Sequence, residues 1–436
     1  MGAMLCLSCI LKNNGGLMMF PNKSKIQLFS MILFFMALGL VNVKAQTAAP
    51  ATQPAPSYGV TLGGFVKFDG IIDSRQTVAV REGHLLLYPA QKSMVNNEDQ
   101  NANANTLFAM FQTRLFGKIT APDAFGAKAS GYFEGDFFGS SDANVSQLVL
   151  RHAWLKLDWP KKELLIGQTW SPLFGTVFPG TVNFNTGAPM QPFSRNPQVA
   201  FTLKPNAKVR LTGTLMQQRD AFETVGLTRK AQQRAVLPAA VASAQIKSGD
   251  LTIGGDVMYK TLRPANLADN ITTIAEDVYF KLDNKKVTFM AKAAHGGDMS
   301  DHLSVGGWVK LTTGTAVTYE ALQTTSAWVD IQSKKPTSIG LFAGMLQNSG
   351  ANADLPTAAT KDYTNARASN ISSMLRVAPR IVHNAGKVRL SFELDYTTAT
   401  YGSDRDAKGA PIEKAGVAND GQVANIRGLF GAYIFF

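Results

Sequence analysis

GQVANIRGLFGAYIFF (residues 421–436) splits by parity from Val423 onward. Ala424, Ile426, Gly428, Phe430, Ala432, Ile434 and Phe436 are small or apolar, while the other parity carries Asn425, Arg427 and Tyr433. A period of two describes a strand with one apolar face and one face able to hold charge. A soluble sheet with an exposed Phe-Phe edge would recruit other chains. A transmembrane barrel removes that edge by pairing its last strand with its first. The expectation is an all-β, antiparallel transmembrane barrel. The even residues of this segment then meet lipid, Arg427 faces the lumen, and Phe436 lies beside the first strand near Val60. The competing reading is a core strand of a β-sandwich.

The other end of the chain points the same way. Lys23 and Lys25 precede LFSMILFFMALGLV (28–41), and Val43-Lys44-Ala45 supplies small residues at a cleavage position. That order is a secretory signal, and its apolar run is shorter than the ~20 residues of a spanning helix. Residues 1–45 are therefore expected to be a signal peptide with an upstream extension, Met18 or Met19 being candidate starts. The rival is an N-terminal membrane anchor. Both cysteines, Cys6 and Cys9, lie in that segment, so the mature chain has neither disulfides nor thiolate metal sites. Its removal takes four Lys and no acid, leaving a formal charge of +8. Residues 46–57 (QTAAPATQPAPS) read as a flexible Ala/Pro leader, and 58–436 as the barrel.

Within 58–436 the recurring unit is a period-two run closed by Gly, Asn, Asp or Pro. In 106–120, Leu107, Ala109, Phe111, Leu115 and Ile119 share one parity, with Gln112, Arg114 and Lys118 on the other. In 126–139, Ala127, Ala129, Gly131, Phe133 and Phe137 oppose Lys128, Ser130, Glu134 and Asp136. Fifteen further runs are 60–72, 145–159, 164–169, 199–204, 208–218, 239–247, 251–262, 274–283, 287–294, 305–311, 316–331, 339–347, 369–382, 387–400 and 423–436. Single-chain bacterial barrels have even strand numbers, so about 16 are expected, with 305–311 or 199–204 the weakest run. Helical periodicity is confined to 229–242. Connections alternate between tight turns (283–286, 247–250, 384–386) and long polar loops (83–105, 171–197, 219–238, 350–368, 401–422). That asymmetry is the outer-membrane pattern. Trp154, Trp159, Tyr132, Phe137, Tyr396 and Tyr433 are candidates for interfacial girdles.

Inward cations would bias permeation toward anions. Arg114, Lys128, Arg210, Arg376 and Arg427 lie on polar parities. Arg151 and His152 are adjacent, so one is expected inward and one outward, and parity does not settle which. Glu134 and Asp136 supply a counter-cluster, giving a transverse field if the two signs stand on opposed walls. The segment SPLFGTVFPGTVNFNTGAPMQPFSRNP (171–197) carries Phe174, Phe178, Phe184 and Phe193, more than an external loop needs. Folded into the lumen as a constriction loop, it would narrow the bore and bring Arg195 near the permeant; covering the mouth or a subunit interface is its alternative.

GFVKFDGIID (64–73), GYFEGDFFG (131–139), LRHAWLKL (150–157) and IGQTWSPLFG (166–175), with the terminal aromatic, resemble the DcaP-like outer-membrane porins over residues 58–200. The resemblance implies a sixteen-stranded homotrimer passing small, often anionic, organic solutes. It favours Arg151 and the strand end Gln168-Thr169-Trp170-Ser171 as site residues. The leader here is short and Pro-rich, unlike the helical extension of some members, so a trimer must be held by barrel walls and loops. The final strand also resembles the C-terminal signal read by the barrel assembly machinery. Expected partners are outer-membrane lipid, lipopolysaccharide, that machinery and small anionic solutes.

The rival classes are an outer-membrane hydrolase and a plugged structural or adhesive barrel. No G-x-S-x-G elbow and no H-E-x-x-H occurs. HGGDMSDH (295–302) has metal-ligand residue types, but a rim loop has the same composition. No cofactor motif and no basic–aromatic cluster for nucleic acid is present.

Overall fold

The computed structural model describes residues 58–219 and 229–436, so the expected signal peptide and leader lie outside the described residues. Within Pro56–Phe436 the described chain is one antiparallel barrel. Its wall strands are β1 (Gly59–Asp73), β2 (Asn105–Ala109 continuing as Arg114–Thr120), β3 (Lys128–Asp136), β4 (Val149–Asp158), β5 (Lys162–Trp170), β6 (Arg195–Leu203), β7 (Val209–Met216) and β8 (Ala239–Ser248). They continue as β9 (Leu251–Leu262), β10 (Ile271–Asp283), β11 (Val287–Gly297), β12 (Ala316–Ser333), β13 (Thr337–Gly350), β14 (Ile371–Ala385), β15 (Val388–Tyr401) and β16 (Gly421–Phe435). Each pairs with its chain neighbour, and β1 pairs with both β2 and β16, which closes the cylinder. The seam runs from Phe65 opposite Phe435 to Asp73 opposite Arg427, and Phe436 exchanges backbone hydrogen bonds with Gly64 (3.2 Å each way). A closed ladder leaves no edge to solvate, as a bilayer requires.

Of the seventeen runs, sixteen are wall strands. The run at 305–311 forms Gly306–Thr313, which extends the β12 hairpin beyond the wall and pairs with Thr360–Asp362 in a neighbouring loop. The run at 199–204 is β6. The helical signal shrinks to one short helix, Lys230–Ala235, before β8. Tight turns gather on one rim and the longer connections on the other.

The parity of β16 holds: Ile426, Phe430 and Ile434 are exposed on the outer face, while Asn425 and Arg427 are buried inside. Leu390, Phe392 and Leu394 continue the outer apolar band. Such a surface is stable only against lipid. Insertions interrupt the simple alternation at several points, including Ser349 and Ser372, and two of them bear on the expected site residues. Four steps along β1, from Asp69 to Phe65, oppose five along β2, from Ala109 to Arg114. Leu107 and Ala109 therefore turn inward while Leu115 and Ile119 face out, against the single face expected for 106–120. In β4, Glu134 pairs with His152 and Gly135 with Leu150, leaving Arg151 as an extra residue. A bulge of this kind puts two consecutive side chains on one face.

Candidate functional site

The β4 bulge decides the chemistry of the wall. Arg151 and His152 both point into the lumen, correcting the expectation of one inward and one outward. Arg151 donates to Glu134 (Nε–Oε1 2.6 Å) and Asp136 (Nη1–Oδ2 2.9 Å). Arg114, from β2, reaches the same carboxylates at 3.5 and 3.1 Å. Basic and acidic groups thus interlock on neighbouring strands, and this cluster does not provide the opposed walls expected of it. His152 hydrogen-bonds Thr169 (3.0 Å) and lies edge-on to Trp170. Gln168 falls on the outward parity, opposite Ala153, and its amide donates to the carbonyls of Leu150 and Arg151 at 3.1 and 3.0 Å. It supports the bulge rather than lining the pore.

Residues 171–194 fold into the lumen, as expected of a constriction loop. Phe174, Phe184 and Phe193 are buried against one another, Trp170 and Phe138, with Trp170 and Phe174 stacked at 3.8 Å. Phe178 stays 43% exposed. Wall side chains hold the loop's backbone. Glu393 accepts the amides of Val182 and Asn183 (2.7 and 3.0 Å), and Lys292 donates to the carbonyls of Leu173 and Phe174 (2.6 and 3.1 Å). Ser326 and Arg376 donate to the carbonyls of Met190 and Ala188. Buried backbone groups need such partners, and here the wall supplies what a sheet cannot.

Arg376 and Arg427 are fully buried anchors rather than water-facing selectivity cations. Arg427 is paired with Asp73 (2.7 Å) and donates to the carbonyls of Gly83 and His84, fixing the first loop. Lys67–Asp69 (2.9 Å) and Arg380–Asp330 (2.8 Å) repeat the theme on the inner wall. A desolvated cation needs a close carboxylate, and these pairs provide one. Arg195 is buried under Trp170, with its guanidinium 4.9 Å from the ring centre, and backs the cluster from behind. Arg210 is 40% exposed at its side chain and paired with Glu163 (3.1 Å). Lys128 is exposed at the tight-turn end of β3, and Lys118 and Lys247 are likewise exposed on inward parities.

Tyr132, Trp154 and Tyr433 are not girdle residues. They face the lumen in two stacks, Phe116–Tyr132–Trp154 (5.9 and 5.6 Å) and Tyr433–Phe435 (5.8 Å). Tyr396 does lie on the outer face. The HGGDMSDH histidines diverge: His295 faces outward and bonds Thr325, whereas His302 is buried. Sequence reasoning missed what His302 does. Ser171 Oγ lies 3.0 Å from His302 Nε2, and Asp301 Oδ1 lies 2.9 Å from His302 Nδ1. Asp301 is also paired with Lys260 (3.0 Å). Burial alone would raise the Asp301 carboxyl, but Lys260 and His302 outweigh it and hold it below the ordinary carboxylate range. With all three residues buried, this chain ties the base of the inward loop to the 298–305 loop.

Two cavities adjoin the inward loop. One, of about 200 Å³, is lined by Arg114, Glu134, Arg151, His152 and Phe178 among others. The second, about 330 Å³, is lined by Glu163, Arg210, Thr214, Ser243, Asp256 and Tyr279 among others. No protein-family model and no curated protein matches the chain. Among solved structures, the outer membrane channel DcaP of Acinetobacter baumannii superposes with a TM-score of 0.65 at 18% identity, covering 90% of this chain and 100% of that one. The fold is that of an outer-membrane channel. An anion-selective porin from Comamonas acidovorans shares the porin fold at TM-score 0.52 and 12% identity, covering 87% of this chain and 100% of the porin. OmpT of Vibrio cholerae in its trimer form gives 0.51 at 11%, covering 87% and 100%. Three of the motifs that suggested the resemblance meet in this site: 131–139 brings Glu134 and Asp136, 150–157 brings the bulge, and 166–175 brings Trp170, Ser171 and Phe174.

Proposed function

We propose that the chain is an outer-membrane porin, a passive channel for small hydrophilic solutes that prefers anions such as small organic acids. The observation that carries the reading is the loop 171–194, held inside a closed barrel by wall side chains while polar cavities remain beside it. A plugged structural barrel has no need of such cavities. Anion preference is supported by Lys118, Lys128 and Lys247, exposed on inward parities with no ion pair among the described residues. Arg114 and Arg151 contribute less net field, since Glu134 and Asp136 sit between them. Homotrimer formation belongs to the same reading and is supported by OmpT of Vibrio cholerae, which shares the fold and has a trimer form. The partners of this reading are outer-membrane lipid, lipopolysaccharide and the barrel assembly machinery.

Reversal potentials in a KCl gradient across planar bilayers test it. Anion selectivity that falls in the triple variant K118Q/K128Q/K247Q is expected. Cation selectivity, or no conductance at all, refutes it.

The Ser171–His302–Asp301 chain favours a second reading, a hydrolase. Against it, the serine is 1% exposed and the amides of Phe174 and Gly175 are already taken by the Ser171 carbonyl, so neither is free to serve as an oxyanion donor. Labelling of Ser171 by a fluorophosphonate would restore that reading.

A further inference from the structure

The inner wall carries a polar row at one height. Glu163, Thr202, Thr212, Ser243, Asp256 and Asp277 stand opposite one another in register across β5 to β10. Its charges do not balance. Arg210 pairs with Glu163 at 3.1 Å. Lys292 pairs with Asp277 at 3.2 Å and spends its other protons on the carbonyls of Leu173 and Phe174. Asp256 stands directly opposite Asp277, where like charges repel, and no cation is bonded to it among the described residues. It is 3% exposed, and its Oδ2 has no hydrogen-bond partner. Thr214, also 3% exposed and on the same cavity wall, has an Oγ1 without a partner. One oxygen of a buried carboxylate and one buried hydroxyl, each without a hydrogen-bond partner and both on residues bordering one cavity, mark a place for a donor the wall does not supply.

We propose that this cavity is a subsite for the primary ammonium group of a small solute, anchored by Asp256. Its volume of about 330 Å³ is some ten water volumes, room for a short amine with part of its hydration. An ammonium carries three separate donors, which suit acceptors spread over Asp256, Thr214 and Ser243. A divalent metal suits the site poorly. It needs six or more oxygens, no group of three acidic or imidazole side chains converges among the described residues, and the Lys292 ammonium stands alongside. The proposal rests on the lumen being an open diffusion path but not on its anion preference. An acidic subsite in a basic lumen fits solutes carrying both signs of charge.

The test uses 1,4-diaminobutane as the probe and Asp256→Asn as the principal variant, with Thr214→Val as a second that keeps the charge. Folding of each is checked by the heat-dependent electrophoretic shift of the refolded protein. In planar bilayers at low salt, where screening is weak, diaminobutane should reduce the wild-type current. Half-block should need about tenfold more probe in Asp256→Asn and a few-fold more in Thr214→Val, a tenfold loss being about 1.4 kcal/mol. Saturation-transfer NMR on the detergent-solubilised protein reads the same subsite without conduction, and its signal should disappear in Asp256→Asn. Equal block of wild type and Asp256→Asn, or an unchanged NMR signal, overturns the proposal while leaving the channel reading in place. Absence of conductance with an Asp256-dependent NMR signal overturns the channel reading and supports the subsite. Insensitivity of wild type to diaminobutane, with a pH-dependent conductance that Asp256→Asn abolishes, shows a shared proton instead of an amine and also overturns it.

Discussion

Replacing Glu393 by Ala should free the tip of the inward loop while leaving the barrel intact. Glu393 is the acceptor for two consecutive loop amides, Val182 at 2.7 Å and Asn183 at 3.0 Å, and is itself fully buried. Hydrogen bonds to a charged group contribute about 1.5–3 kcal/mol each, so the pair holds the tip with about 3–6 kcal/mol. Burial of the carboxylate beside Asp395 works in the opposite direction, since removing the charge relieves its desolvation. The net loss should lie near the lower end, about 3 kcal/mol, which raises the undocked population of the tip about a hundredfold. The base of the loop keeps its tethers to Lys292, Ser326 and His302, so the opening should be local. Single-channel recording should show larger and noisier conductance steps, and liposome swelling should extend to larger sugars. Glu393→Gln retains one acceptor oxygen and should show roughly half the effect. An Ala variant with the wild-type electrophoretic shift, the wild-type conductance and the same size cut-off would refute the assignment of Glu393 as the clasp.

Three other outcomes follow from the same geometry. Deleting Phe436 removes both 3.2 Å seam bonds to Gly64, so refolding yield should fall severalfold, read by the fraction of heat-modifiable protein; undiminished yield would show that the seam closes without it. Leu394→Arg, on the outer face of β15, should destabilise the barrel by about 2–4 kcal/mol in reversible lipid folding titrations, because a charge then meets hydrocarbon. Because Asp301 is held below the ordinary carboxylate range, its contribution is present above about pH 4 and is lost only as pH falls through its lowered value. Hydrogen-exchange protection of 298–305 should thus be the same at pH 7 and pH 4.5 in the wild type. Lys260→Met removes the main opposing charge, so burial then raises the carboxyl and protection should drop within that window.

Period-two alternation was enough to reveal a barrel, its lipid face and even its seam, because side-chain direction in a strand follows from chain position alone. The four Phe of 171–197 flagged a loop needing apolar surroundings, and Phe174, Phe184 and Phe193 are packed inside while Phe178 stays partly exposed. The motifs between 64 and 175 fall on the wall that carries Arg151 and the start of the inward loop. Single-residue insertions then defeated parity, two of them beside the expected site residues. One turned Leu107 inward; the other set Arg151 and His152 side by side in the lumen, and no composition signal marks a bulge. Pairing was equally out of reach. Arg427 meets Asp73 across 354 residues of chain, and Ser171 meets His302 across 131. Whether an inward cation selects ions or holds a loop depends on the carboxylate opposite it, so only the closed barrel could turn Arg376 and Arg427 into anchors and leave Asp256 without a bonded cation among the described residues. Local periodicity sets which face a residue occupies; charge balance is a property of neighbours, and neighbours in a sheet are chosen by register.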